Sequence, residues 1–132
     1  MTVWVSAWQM QCCGEPFRLG SPVAWTVGDA DAEWLAAVLG DAASKAVDAA
    51  EDHHSDAGEG TEPVTGIVSR ITAVHCRYRP WPGGDPRSLY PVPGSAVFAD
   101  VRSADGHVAD RGEELFVGYV VKLGQVLPSP GQ

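Results

Sequence analysis

The chain of 132 residues suits one domain around a single hydrophobic core, and 17 acidic against 9 basic side chains give it a formal net charge of −8. This charge argues against a nucleic-acid partner, because phosphate binding depends on clustered lysine and arginine. No run approaches the roughly 18 apolar residues of a membrane span, and the first residues lack the basic and apolar pattern of a signal peptide. We therefore expect a cytoplasmic protein with no membrane partner.

The opening of the chain predicts two strands, 3–10 and 20–27, because strand-forming residues are dense in the first and apolar residues alternate in the second. Between them lies a turn rich in glycine and proline that carries the adjacent Cys12 and Cys13. A disulfide between adjacent cysteines is the rarer outcome in a reducing cytosol. The opening is therefore predicted to be a hairpin with two thiols at its turn.

A helix is predicted from about 32 to 51. Asp29 and Asp31 are both suitable N-caps, and apolar residues then follow at the spacing of one helical stripe. Gly40 is expected to weaken or break this helix. The acidic segment 52–62, which is rich in glycine and serine, predicts a mobile loop.

The longest strand signal covers 64–78, where apolar residues occupy both faces. This pattern predicts a long, bent strand that serves two sides of a curled sheet. The prolines of 79–94 exclude a central strand or helix and predict a long loop, which carries Trp81 and Tyr90.

The last part of the chain predicts a strand at 97–101, a hairpin turn at Asp105-Gly106, and a strand at 115–123 with the cleanest alternation in the protein. These elements together predict a mainly β fold with one inserted helix, a small half-open antiparallel barrel of the SH3-like or OB-like kind. We expect residues 1–125 to form this single domain and 126–132 to be a flexible tail.

Ten residues of the opening have the unusual pattern W-x-M-x-C-C-G-x-P-F, from Trp8 to Phe17. With this pattern, the chain resembles an uncharacterised family of short proteins from high-GC Gram-positive bacteria that is labelled a domain of unknown function. The resemblance covers most of the chain and implies no activity.

Six side chains could bind a metal ion. Thiolates and imidazoles suit zinc, which takes four ligands, but their spacing matches no known zinc knuckle. The alternative is that the cysteines are small buried apolar residues and that the paired histidines end a helix. The six residues are Cys12, Cys13, His53, His54, His75 and Cys76.

Evidence for catalysis is thin in the sequence. His75 and Cys76 are neighbours on a predicted strand, so their side chains face apart and make no dyad. His53 or His54 could activate a turn thiol across space. No nucleophile elbow, phosphate loop or dinucleotide motif is present. We therefore expect a protein that is not an enzyme and needs no cofactor, with a zinc-stabilised domain and a small Cys/His enzyme as the alternatives.

A binding surface is the third possibility, because five tryptophans are many for this length. We expect Trp8, Trp81 and Tyr90 to form one wall of a surface, with Glu15 and Asp85 at its rim. The alternative is that the helix covers the indoles and that the proline-rich loop is a lid. The predicted function is a non-enzymatic binding or regulatory module for a protein partner or a small ligand.

Overall fold

The computed structural model describes residues 1–12, 14–51, 63–80 and 82–127. In chain order the elements are β1 (Thr2–Ser6), α1 (Ala7–Cys12), β2 (Phe17–Arg18), β3 (Pro22–Trp25), β4 (Val27–Gly28), α2 (Ala32–Leu39), α3 (Asp41–Lys45), β5 (Ala49–Glu51), β6 (Val64–Cys76), β7 (Tyr78–Pro80), β8 (Leu89–Pro91), β9 (Val97–Val101), β10 (Ser103–Ala104) and β11 (Leu115–Leu127).

The main sheet runs in the order β3-β6-β11-β1-β5-β4, and β9 also pairs with β6. Because β11 occupies one edge of β6, strands β3 and β9 share the other edge. The first pairs with residues near Val64 and the second with residues near His75. The long strand thus pairs with two neighbours in succession along this edge. It also buries side chains on both of its faces, for example Ile71 and Val74, as predicted.

Closure of the sheet follows from the connection between β3 and β4. Only Thr26 separates these two strands along the chain, yet they lie at opposite ends of the strand order. The sheet must therefore curl until its edges approach each other, and the mainly β fold is a nearly closed, barrel-shaped sheet. This confirms the predicted class, with three helices in place of one. The SH3-like or OB-like type stays a prediction.

The predicted opening hairpin is wrong. Strand β1 pairs antiparallel with β11 and parallel with β5, and the chain becomes helical at Ala7. Alanine, glutamine and methionine are good helix formers, and Ala7 and Met10 bury one face of this short helix. Strand β2 instead pairs with β10, which brings Phe17 into the barrel.

The predicted break at Gly40 is confirmed, since α2 ends at Leu39 and Gly40 has a φ of 87°. The predicted extent of the helix is wrong, because α3 ends at Lys45 and Ala49–Glu51 forms strand β5 beside β1. Short alanine-rich runs have little preference of their own, so pairing with a neighbouring strand decides their conformation. The predicted loop 52–62 lies outside the described residues.

The proline-rich segment contains a small separate hairpin, in which β7 pairs with β8. The predicted hairpin turn at Asp105-Gly106 is wrong, because β9 pairs with β6 and not with β11. Gly106, with a φ of 84°, instead packs on α1, where an added Cβ would lie 2.6 Å from Met10 Cβ. Strand β11 runs to Leu127, and the rest of the predicted tail, 128–132, lies outside the described residues.

Two clusters of buried side chains hold the fold together. One fills the barrel, and the other lies between the outer face of the sheet and α2. The barrel cluster is Val3, Val5, Met10, Phe17, Trp25, Val68, Ile71, Ala73, Ala104, Tyr119, Val121 and Leu123. The helix-side cluster is Trp4, Leu35, Val38, Leu39, Val74 and Cys76.

The alternation predicted for 115–123 changes face once. Tyr119 and Val121 face the barrel, but Val117 packs against the helix-side cluster. The register of β11 against β6 shifts between Phe116 and Gly118, and such a bulge moves the residues before it to the opposite face.

Candidate functional site

An open cleft lies on the outer side of the barrel, with a volume of about 760 Å³. Its walls come from segments far apart in the chain: β1 with α1, the start of α2, β5, β7 and the start of β11. We call it the aromatic cleft, because the residues that line it include Trp4, Trp8, Trp34, Tyr78 and Phe116.

Two indoles pair at the floor of the aromatic cleft. Trp4 points outward from β1 because its neighbours Val3 and Val5 point into the barrel. Its ring centroid lies 5.6 Å from that of Trp34 on α2, at an interplanar angle of 59°. Helix α2 is held in place here by Asp31, whose carboxylate accepts a hydrogen bond of 3.1 Å from the backbone N–H of Trp34.

Trp8 extends this aromatic wall toward solvent. It lies on α1, and 59% of the residue is exposed. A large apolar ring at the mouth of a cleft is typical of a recognition surface. The structure therefore places one residue of the predicted binding surface in the cleft.

Carboxylates supply the charge of the aromatic cleft. Asp29 and Asp31 line it from the start of α2, and Glu51 lines it from β5, where it is only 3% exposed. No lysine, arginine or histidine is among the lining residues in the described part of the chain. The cleft therefore combines apolar rings with negative charge.

Tyr78 closes one side of the cleft above the buried Cys76. Burial raises the pKa of the Cys76 thiol, and a hydrogen bond from the Tyr78 side chain opposes this only in part. The pKa of Tyr78 rises to about 12, first through burial and then through the charge and hydrogen bond of Cys76. A thiol with a raised pKa is protonated at neutral pH and is a poor nucleophile or metal ligand.

His75 faces the other way. It is 1% exposed, and its Nε2 donates a hydrogen bond of 2.9 Å to the carbonyl of Ala109. Its ring lies 5.6 Å from Phe116, and its Nδ1 has no hydrogen-bond partner in the described residues. His75 and Cys76 thus lie on opposite faces of β6 and form no catalytic pair, as their adjacency on a strand predicted.

The predicted zinc ligands are not gathered by the described part of the chain. Cys12 is disulfide-bonded and exposed at the end of α1, whereas Cys76 is a free, buried cysteine. Across 1–12, 14–51, 63–80 and 82–127, no three histidine, cysteine or acidic side chains are grouped to hold a metal ion. Cys13, His53 and His54 lie outside the described residues, so the zinc site stays a prediction.

Three other predicted binding residues, Tyr90, Glu15 and Asp85, are not among the residues that line the cleft. Tyr90 is exposed on β8, opposite Arg79 of β7. Glu15 and Asp85 are exposed, and the Asp85 carboxylate accepts a hydrogen bond of 2.9 Å from the backbone of Arg87, which stabilises the local turn. Trp81 lies outside the described residues, and a binding role for these four side chains stays a prediction.

Sequence reasoning missed Glu51, Asp29 and Tyr78 as parts of one site. Glu51 was assigned to the end of a helix, and only its pairing beside β1 brings it to the cleft. Trp34 was recognisable as part of an apolar helical stripe, which gave no sign that its ring would border a cleft.

Comparison with known proteins agrees with an uncharacterised domain. A family model described as a family of unknown function (DUF6578) matches residues 1–125. No curated protein matches the chain, and no solved structure matches it. Among the described residues, no helix has the length and apolar character needed to cross a membrane.

Proposed function

This chain belongs to DUF6578, a family of unknown function, and we propose that it is a non-enzymatic binding module whose binding surface is the aromatic cleft. The observation that carries the proposal is the exposed ring of Trp8 at the mouth of a cleft of about 760 Å³ that is lined by further aromatic rings. Small-molecule sites have volumes of roughly 300–1,000 Å³ and predominantly apolar and aromatic linings.

The arrangement of the nucleophilic side chains favours binding over covalent catalysis. Cys76 is buried under Tyr78 with a raised pKa, and His75 points to Ala109 on the other face of the strand. Neither side chain lines the cleft. The residues that do line it offer apolar contact and charge, which are the means of recognition.

The cytoplasm remains our proposed compartment, on the sequence arguments given above. The disulfide at Cys12 is the observation against it, because cytosolic thiols are usually kept reduced. Trapping of thiols in intact cells with an alkylating reagent decides the point. A reduced Cys12 supports the cytoplasm, and a Cys12 that is oxidised before lysis contradicts it.

The binding role is tested by screening neutral aromatic fragments with ligand-observed NMR. We expect Trp8→Ala to weaken binding of the fragments that occupy the cleft by at least about tenfold, since the ring contributes large apolar contact. The variant should keep the cooperative melt of the parent protein, because the ring is mostly exposed.

The matched control is Phe98→Ala. Phe98 is also an exposed ring, at 46%, but it borders a separate, smaller cleft of about 270 Å³. Its loss should leave fragment binding unchanged. Fragments that bind equally well to Trp8→Ala, or no fragment binding at all, would contradict the proposed surface, as would unfolding of Trp8→Ala.

A further inference from the structure

Resting on the binding role proposed above, we propose that the ligand of the aromatic cleft is a small organic cation. Its protonated amine would lie against the indole rings and be neutralised by the carboxylates of the cleft. This assigns a ligand class to the site, and two independent features of the lining support it.

The first feature is charge. Asp29 and Asp31 are exposed on the walls, and no cationic side chain is among the lining residues that the structure describes. Clefts with apolar walls and charges of one sign concentrate ligands of the opposite sign. The chain as a whole carries a net charge of −8, which acts in the same direction. A phosphate or carboxylate ligand would meet repulsion here.

The second feature is the set of rings. An ammonium group is attracted to the face of an aromatic ring, most strongly to tryptophan. Trp4 and Trp34 form a tilted pair at the floor, and Trp8 stands at the mouth. Rings and carboxylates on the same walls suit a ligand that is both cationic and partly apolar.

The size of the cleft indicates a small molecule. Its volume of about 760 Å³ lies within the range of small-molecule sites. Its lining residues come from segments between β1 and β11, so a small ligand can contact several elements at once. A lysine side chain of a partner protein carries the same chemistry, and the experiment separates it from a free amine.

The experiment is calorimetric titration with three probes of similar shape: 2-phenylethylamine as the cation, 2-phenylethanol as the neutral analogue and 3-phenylpropionate as the anion. We expect the cation to bind about tenfold more tightly than the neutral probe and the anion not to bind. Added salt should weaken the cation alone. Asp29→Asn should reduce the preference for the cation severalfold.

The matched charge control is Asp41→Asn, which removes an exposed carboxylate from the first turn of α3, outside the cleft lining. It should leave the preference unchanged. Equal binding of cation and neutral probe, both weakened by Trp8→Ala, would overturn the inference and leave the proposed binding role standing. Failure of all three probes would overturn both. Tighter binding of a lysine peptide than of the free amine would overturn the small-molecule class.

Discussion

Removal of the Tyr119 hydroxyl tests how the segment after β10 is held against β11. Tyr119 is 0% exposed, and its phenol oxygen accepts a buried hydrogen bond of 3.1 Å from the backbone N–H of Gly106. Burial raises the pKa of this phenol, while hydrogen bonds from the backbone at Gly106 and Asp105 lower it. The hydroxyl thus fixes the segment after β10 to the last strand.

The size of the effect follows from what Tyr119→Phe keeps and what it removes. The ring stays, so the contacts at centroid distances of 6.2 Å to Phe17 and 5.0 Å to Phe116 are retained. The Gly106 N–H loses its acceptor in a place that water does not reach. An unsatisfied buried donor costs about 1–3 kcal/mol, and a loss of about 2 kcal/mol lowers the Tm of a domain of this size by roughly 8 °C.

Thermal and urea denaturation measure this loss, and hydrogen exchange locates it. The Gly106 amide should exchange faster in Tyr119→Phe than in the parent protein, because its bond is gone. Tyr90→Phe is the control, since Tyr90 is exposed and its change should leave the Tm within about 1 °C. A Tm for Tyr119→Phe equal to that of the parent, with unchanged exchange at Gly106, would refute the reasoning.

Three further perturbations test other parts of the structure. Gly118→Ala should destabilise the fold by roughly 3 kcal/mol in urea denaturation, because the new Cβ would lie 2.5 Å from the Val5 carbonyl oxygen. The control Gly124→Ala, whose nearest contact is at 3.9 Å, should be tolerated. Equal stability of the two variants would contradict the close approach of β1 and β11. The pKa of Tyr78 is raised to about 12 from an ordinary 10.0, so its neutral phenol stabilises the fold below pH 10, and this contribution is lost as pH rises toward about 12. The free energy of unfolding of Tyr78→Phe should therefore fall less than that of the parent protein between pH 10 and about 12. An equal fall in the two proteins would contradict a raised pKa for Tyr78. If the predicted zinc site exists, elemental analysis should find stoichiometric zinc, and a chelator should lower the Tm and free thiols. Metal-free protein whose Tm does not change with chelator would contradict the predicted site.

Local sequence patterns determined the long strands and the break in the helix. Alternating apolar residues identified β9 and much of β11, and apolar residues on both faces identified β6 as a strand that is buried on two sides. The helix ends before Gly40 because glycine, which has no Cβ, adopts a positive φ at little steric cost. Each of these predictions depends on chemistry within a few residues of the position concerned.

The tertiary structure decided which segments meet. Residues 7–12 are helical and Ala49–Glu51 is a strand because of their neighbours: α1 packs Met10 into the barrel, and β5 pairs with β1. The bulge before Gly118 places Val117 on the helix side of the sheet, and no local sequence pattern predicted this bulge. A one-residue shift in register reverses the faces of a strand, so pairing and not periodicity sets them here.

The aromatic cleft depended on tertiary structure most of all. The sequence predicted a binding role for Trp8, but the aromatic and acidic residues that line the cleft around it come from segments between Trp4 and Val117. Glu51 reaches the cleft only through the parallel pairing of β5 with β1. Such a site is made by contacts distant in sequence, and strand pairing over that distance is settled by the burial of the whole core, which no short stretch of sequence encodes.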